Sequence, residues 1–282
     1  MVCHTHGWQN LAPFNWDDSN RHLSFAVYID SESIDISVSQ RNYCIEAFIS
    51  SNSKISKTLR ERLKAVIIRS LALDVDTTEL LLQAEKIGSK YADLVKQGAG
   101  RLLRAPTLWE DAAKTLFTTN CSWALTKKMC GAVCSNLFVT QTPSGNYPFP
   151  PPAKFLKYDE LSLKKPMPIG YRAGYFISLA KQFANDPNPN GIDNGISDSA
   201  TALKMISQFE GFGSYASNHM LILTGFFDKI PIDTVVISYL KRAHRVRKPE
   251  SFIKRHYRKW GAYSWWGFKL EKMINMQNWL GD

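Results

Sequence analysis

The chain has 282 residues, 44% of them apolar, with a formal net charge of +10 and a pI near 9.3. That is enough chain and apolar content for one large or two smaller domains with a sizeable core, and the positive excess favours polyanionic or anionic-membrane partners. No uninterrupted apolar run approaches the ~20 residues a bilayer span needs, and the N-terminus lacks a basic-then-apolar signal pattern, so a soluble intracellular protein is expected. The five cysteines, Cys3, Cys44, Cys121, Cys130 and Cys134, are odd in number and follow no disulfide or zinc spacing. Cys3-His4-Thr5-His6 could bind a metal, but reads more simply as a frayed terminus.

In chain order, residues 23–30, 34–39 and 43–49 alternate apolar with polar residues and are rich in β-branched and aromatic types, which predicts antiparallel strands. Residues 57–73 then carry Leu59, Leu63, Val66, Ile67 and Leu71 at helical spacing, predicting a helix that backs the sheet. From Thr77 onward the pattern is helical almost throughout. Breaks fall at Gly98-Ala99-Gly100, Pro106, 142–152, 166–168 and 185–194. Residues 108–138 read as helix, interrupted by Thr118-Thr119-Asn120. Asn120 is either a helix cap or a residue free for another task. No internal repeat or long low-complexity segment occurs.

Residues 204–233 carry the densest signal. An apolar-periodic run turns at Phe209-Glu210-Gly211-Phe212-Gly213, a second run begins at Ser214, and a short loop at 226–230 leads into Pro231-Ile232-Asp233. Two helices joined by a tight hairpin are expected. Both glycines are read as positions of free backbone geometry, Ser214 as the cap of the second helix, and Asp233 as a carboxylate at the start of a third. Amides at a helix start lack intrahelical partners and suit a phosphate. Beyond the hairpin, residues 240–272 are dense in Lys and Arg, opposed only by Glu250 and Glu271, with aromatics interleaved. Such a segment tilts the expected partner toward nucleic acid, the bland alternative being a solvated charged face.

This arrangement resembles the helix-hairpin-helix DNA glycosylases, through Gly211-Phe212-Gly213, Ala216 and Asn218 in the hairpin and second helix, and Pro231-Ile232-Asp233. The same residues also fit an ordinary helical hairpin with Asp233 as a mere N-cap. A second stretch, Pro168-Ile169-Gly170-Tyr171-Arg172-Ala173-Gly174-Tyr175, resembles a segment of the 8-oxoguanine branch. The resemblance implies that Tyr171 wedges into the base stack, Arg172 reaches the base left unpaired, and Asn120 lies at the gap left by base extrusion. A flat side chain in that gap recovers part of the few kcal/mol of lost stacking. It also implies Asp233 as the catalytic carboxylate, Gly211, Gly213 and Ser214 as phosphate contacts, and an N-terminal α/β domain like that of the alkyladenine and 8-oxoguanine branches.

Departures from the family patterns direct the chemistry. Bifunctional members carry a nucleophilic Lys two residues after the second hairpin glycine, where this chain has Tyr215. The alkyladenine branch has an aromatic there, lining the base pocket, and His219 one turn later shares its face. Trp265 and Phe268, from the aromatic cluster that also holds Trp260, Tyr263 and Trp266, are further pocket candidates that equally suit a core. Leu125 stands where the 8-oxoguanine branch has an Arg that reads the orphan cytosine. No cysteine follows Cys134, which excludes the iron–sulfur cluster some members carry after the catalytic Asp.

The combined expectation is an α+β protein with residues 1–76 as an α/β domain and 77–282 as a two-lobed helical domain, its hairpin near 198–225. It would be a monomeric, monofunctional glycosylase that excises an alkylated purine from damaged double-stranded DNA. No cofactor, metal or membrane is expected, and a monovalent cation at the hairpin is the one ion the resemblance allows. A bifunctional 8-oxoguanine glycosylase/lyase and a non-catalytic DNA-binding hairpin protein are the alternatives.

Overall fold

The computed structural model of the protein describes residues 2–42, 44–135, 137–193 and 195–280. Tyr43, first residue of the third expected strand, and Asn194, last of the expected break at 185–194, lie outside the described residues. The α+β class is as expected. A four-stranded antiparallel sheet runs in the order β1 (Asn15–Asp17), β2 (His22–Ile29), β3 (Glu32–Arg41), β4 (Cys44–Ser50). β1 is too short for alternation to reveal it in the sequence. Asp30 and Ser31 both take positive φ, the two-residue turn whose twist matches its flanking strands. The register pairs Leu23 with Val38, Phe25 with Ile36 and Val27 with Ile34, all six buried, and a one-residue slip would turn this apolar set to solvent.

β4 has no buried residue, and Phe48 on it is exposed. The helix α1 (Lys57–Ser70), capped by the Ser56 hydroxyl accepting from the Leu59 amide at 3.1 Å, buries Leu59, Leu63 and Ile67. It leaves a groove between itself and β4, lined by Ile45, Ala47, Ile49, Ile67 and Ile68. The helix therefore backs the sheet incompletely.

The remaining helices are α2 (Thr78–Ile87), α3 (Ser89–Lys96), α4 (Leu108–Phe117), α5 (Trp123–Val133), α6 (Glu160–Lys164), α7 (Arg172–Asn185), α8 (Ser199–Ile206), α9 (Ser214–Leu223), α10 (Thr234–His244), α11 (Pro249–His256) and α12 (Ser264–Leu280). The chain forms two compact units that interleave along the sequence. One comprises 1–5, 74–102 and 190–282, and the other 6–73 and 103–189. A single cut at 76/77 does not follow these units, because the sheet and α1 belong with α4 to α7.

In the sheet-bearing unit every residue of α4 is buried. Asp111 on α4 gathers the Trp8 indole N–H at 2.8 Å, the Ala105 amide at 2.8 Å and the Arg69 guanidinium at 2.9 Å. A buried carboxylate is costly without such partners, and here all three are supplied. The adjoining core is aromatic, with Trp109 at 5.2 Å and Phe155 at 4.8 Å from the Phe176 ring. In the other unit Trp260 is buried edge-on to Tyr91 at 5.3 Å. Gly267 on α12 makes room for it, since a Cβ there would lie 2.3 Å from Trp260 Cδ1.

Candidate functional site

Within the hairpin-bearing unit, α8 ends at Ile206 and the chain turns on two buried rings, Phe209 and Phe212, whose centroids are 5.4 Å apart. The Phe212 amide donates to the Phe209 carbonyl at 3.1 Å. Gly211, with φ of +82°, takes the left-handed conformation that side chains resist. Gly213 differs from the expectation, because its φ of −77° and ψ of −175° are extended backbone open to any residue. It is also the N-cap of α9, its carbonyl accepting from the Ser217 amide at 2.9 Å. Ser214 is thus the first helical residue and not the cap. A Cβ on Gly213 would meet nothing within 4 Å, so the fold itself makes no demand for glycine there. The first amides of α9, which have no intrahelical carbonyl to bond, emerge at this exposed corner.

After α9 the chain turns at Gly225, φ +98°, and reaches Pro231-Ile232-Asp233 through a loop that buries Ile230. Asp233 caps α10 as the sequence predicts, with Oδ1 accepting from the Val236 amide at 2.7 Å. The carboxylate is half-buried, so capping fixes its orientation while leaving it reachable. Lys229, the one lysine between Gly211 and Asp233, lies in the preceding loop and pairs with Asp228 at 3.4 Å.

Tyr215 and His219 share one face of α9, their ring centroids 5.8 Å apart. Burial, helped by the nearby Lys269 charge, pushes the His219 imidazole down to about 4. Lys269 on α12 had no part in the sequence reading. Burial and the Lys272 charge press its ammonium down to about 8, with the Asp233 carboxylate opposing them. Its Nζ lies 5.7 Å from the Trp265 ring centre. The sequence signal was a lone cation in the run Trp265-Trp266-Gly267-Phe268-Lys269-Leu270. Trp265 is buried and stacked on Phe227 at 5.9 Å. Phe268 departs from the pocket expectation, being buried edge-on to Tyr239 at 5.4 Å and Tyr257 at 6.0 Å.

In the sheet-bearing unit, Asn120 is exposed in the turn between α4 and α5 with φ of +44°. Ser122, accepting from the Leu125 amide at 3.3 Å, is the cap of α5, so Asn120 is not. Tyr171 stands at the start of α7, 55% exposed. Arg172 is oriented otherwise than expected for a residue reaching a base. It is buried, its Nη2 donates to the Thr119 carbonyl, and its Nε donates to Thr119 Oγ1 at 3.3 Å. The guanidinium also lies 4.5 Å from the Tyr171 ring centre. Arg172 therefore ties together the two segments that present Asn120 and Tyr171.

No family model matches the chain. The N-glycosylase/DNA lyase of Saccharomyces cerevisiae is 24% identical over 221 residues, 72% of this chain and 57% of that enzyme. The chain thus spans little more than half the length of that relative. Among solved structures, the Clostridium acetobutylicum 8-oxoguanine glycosylase/lyase in its apo-form superposes with a TM-score of 0.69 at 16% identity, covering 93% of this chain and 90% of that one. The 3-methyladenine DNA-glycosylase of Archaeoglobus fulgidus gives 0.66 at 16% identity, covering 92% and 88%. The chain has the fold of the helix-hairpin-helix DNA glycosylases.

Proposed function

We propose that the protein is a DNA glycosylase that flips an alkylated purine out of damaged duplex DNA and hydrolyses its N-glycosidic bond without a lyase step. The observation that carries this reading is the pairing of a capped, reachable Asp233 after the hairpin with Tyr215, and no amine, on the hairpin helix. Cleaving the bond develops positive charge on the sugar. A fixed carboxylate stabilises that charge and orients the attacking water. A cationic alkylated base is already a good leaving group and is attracted to electron-rich rings by about 0.5–2 kcal/mol each, which suits Tyr215. The exposed corner at Gly213 and the basic stretch through α11 supply phosphate contacts, and Tyr171 with Asn120 fill the gap in the stack. An enzyme with these partners works intracellularly, on DNA.

One observation favours a second reading. Lys269, its ammonium pressed down to about 8 by burial with the Asp233 carboxylate opposing the shift, is an amine of the kind that serves as a nucleophile in covalent catalysis. The deciding experiment offers single-lesion duplexes carrying 3-methyladenine or 8-oxoguanine, with and without borohydride. Excision of the alkylated base with no trapped adduct supports hydrolysis alone. An adduct that disappears in Lys269→Ala supports the lyase, and no excision from any duplex defeats both readings.

A further inference from the structure

We propose that His244, His256 and Glu271 form a site for a divalent transition metal, zinc in the first instance, that fastens α11 to α10 and α12. The three residues come from three helices and lie far apart in the sequence. The inference goes beyond the glycosylase reading and does not depend on it.

His244 is the last residue of α10, His256 the last of α11, and Glu271 lies within α12. One ligand atom from each falls within 4.8 Å of the others. His244 Nε2 is 2.7 Å from Glu271 Oε1, and His256 Nε2 is 2.7 Å from Oε2. Two imidazole nitrogens and a carboxylate oxygen are a set that zinc accepts, usually tetrahedrally at ~2.0–2.2 Å. Around such an ion neighbouring ligand atoms stand about 3.4 Å apart, so each histidine nitrogen, 2.7 Å from its carboxylate oxygen, would move out by under an ångström while the widest pair, within 4.8 Å, would draw in. Both histidines are half-buried, which leaves a water able to complete the tetrahedron.

The surroundings match a metal ligand's usual support. Oε1 of Glu271 also accepts from the Tyr239 hydroxyl at 2.8 Å and the Tyr257 hydroxyl at 2.9 Å, and Asn275 Nδ2 donates to the Tyr239 hydroxyl at 2.8 Å. These bonds fix the carboxylate with Oε1 beside His244 and Oε2 beside His256, as outer hydrogen bonds orient ligands elsewhere. The need for a fastening is visible in α11, which buries no residue of its own. Its inward contacts here are rings, Phe252 stacked on His256 at 4.7 Å and beside His244 at 4.8 Å. Among the described residues the group of ligand atoms that comes together by geometry is His244, His256 and Glu271, and not the Cys3, His4 and His6 run.

The test uses the full chain, stripped by chelator and titrated with zinc and with cobalt(II), reading stoichiometry by calorimetry, the cobalt visible spectrum and thermal stability. The parent should bind one equivalent, show the intense bands of tetrahedral cobalt and melt at a higher temperature with zinc. His256→Asn should weaken binding by at least about tenfold and abolish the zinc-dependent rise. If that variant does not fold, His244→Asn serves for the same comparison. A Cys3→Ser, His4→Asn double variant should behave as the parent. The proposal is overturned if the parent binds no stoichiometric ion, if the histidine variants bind as tightly as the parent, or if only the N-terminal variant loses the metal.

Discussion

The buried guanidinium of Arg172 donates to the Thr119 carbonyl, and the next residue is the exposed Asn120 in its left-handed turn. The same guanidinium lies over the ring of Tyr171. Arg172→Ala should therefore leave a part-buried carbonyl without its donor, costing about 1–3 kcal/mol by denaturant titration. Tyr171→Ala, at an exposed site, should cost under about 0.5 kcal/mol. Its expected effect is on DNA, weakening binding to a fully paired lesion duplex more than to a bulged one, where the unstacking cost is already partly met. Equal losses on both duplexes would reduce Tyr171 to a packing residue.

Asp233 separates stability from chemistry. Asp233→Asn keeps a side chain that caps well, so its melting temperature should match the parent's closely, whereas Asp233→Ala should lose about 1 kcal/mol with the cap. Under single-turnover conditions both should excise base orders of magnitude more slowly, with affinity for an abasic-site analogue nearly intact. Retention of more than about a tenth of the parent rate, a deficit of ~1.4 kcal/mol or less, would remove Asp233 from the reaction.

The hairpin, the capping role of Asp233 and the alternation of β2 and β3 were legible in the sequence because each is local. Turn, cap and strand signals lie within a few residues of one another. Most of what stayed hidden depends on distant segments, the boundary of α9 being a local exception. Ser214 looked like a cap, but the first intrahelical bond runs to the Gly213 carbonyl and moves the boundary by one residue. Phe268 looked like a pocket wall, but its side of α12 faces Tyr239 and Tyr257. Arg172 looked free, and only the fold brings Thr119 to it. Glu271, in the sequence only one of two acidic residues in a basic stretch, is met by two histidines and two tyrosines that the fold brings to it.

Gly267 is a glycine required by packing. An added methyl would collide with the Trp260 ring, which is fully buried and packed edge-on against Tyr91. Gly267→Ala should destabilise by about 1–3 kcal/mol despite the better helix propensity of alanine. A variant as stable as the parent would mean that Trp260 swings aside without loss.

His219 gives acid sensitivity a definite window. Its imidazole titrates at about 4 in the folded chain against 6.5 ordinarily, so the unfolded chain binds the proton first. Its contribution is fully present above 6.5, falls as pH drops toward 4, and levels off below that, with a total of up to roughly 3 kcal/mol. Tyr215 and Lys269 are the titratable groups beside it on α9 and α12. His219→Leu should flatten the stability curve between those pH values, measured by denaturant midpoints. An unchanged slope would show that other groups govern the acid limb.

Gly213 tests anchoring independently of folding. Its extended φ and the open space where a Cβ would go mean that Gly213→Val should fold with parental circular dichroism and lose little stability. Gly211→Val, forced into φ of +82°, should be clearly destabilised, and the two variants together distinguish a glycine kept for the fold from one kept for a ligand. The valine side chain at 213 would stand in front of the first amides of α9 and keep a phosphate from them. Damaged and undamaged duplexes should then lose affinity by a similar factor, because phosphate contacts position the protein without reading the base. A salt titration should show a shallower slope for the variant, with the steep remainder owed to Lys241, Arg242, Lys254 and Arg255. If the folded variant binds both duplexes as tightly as the parent at every salt concentration, the corner at Gly213 is not where the protein holds DNA.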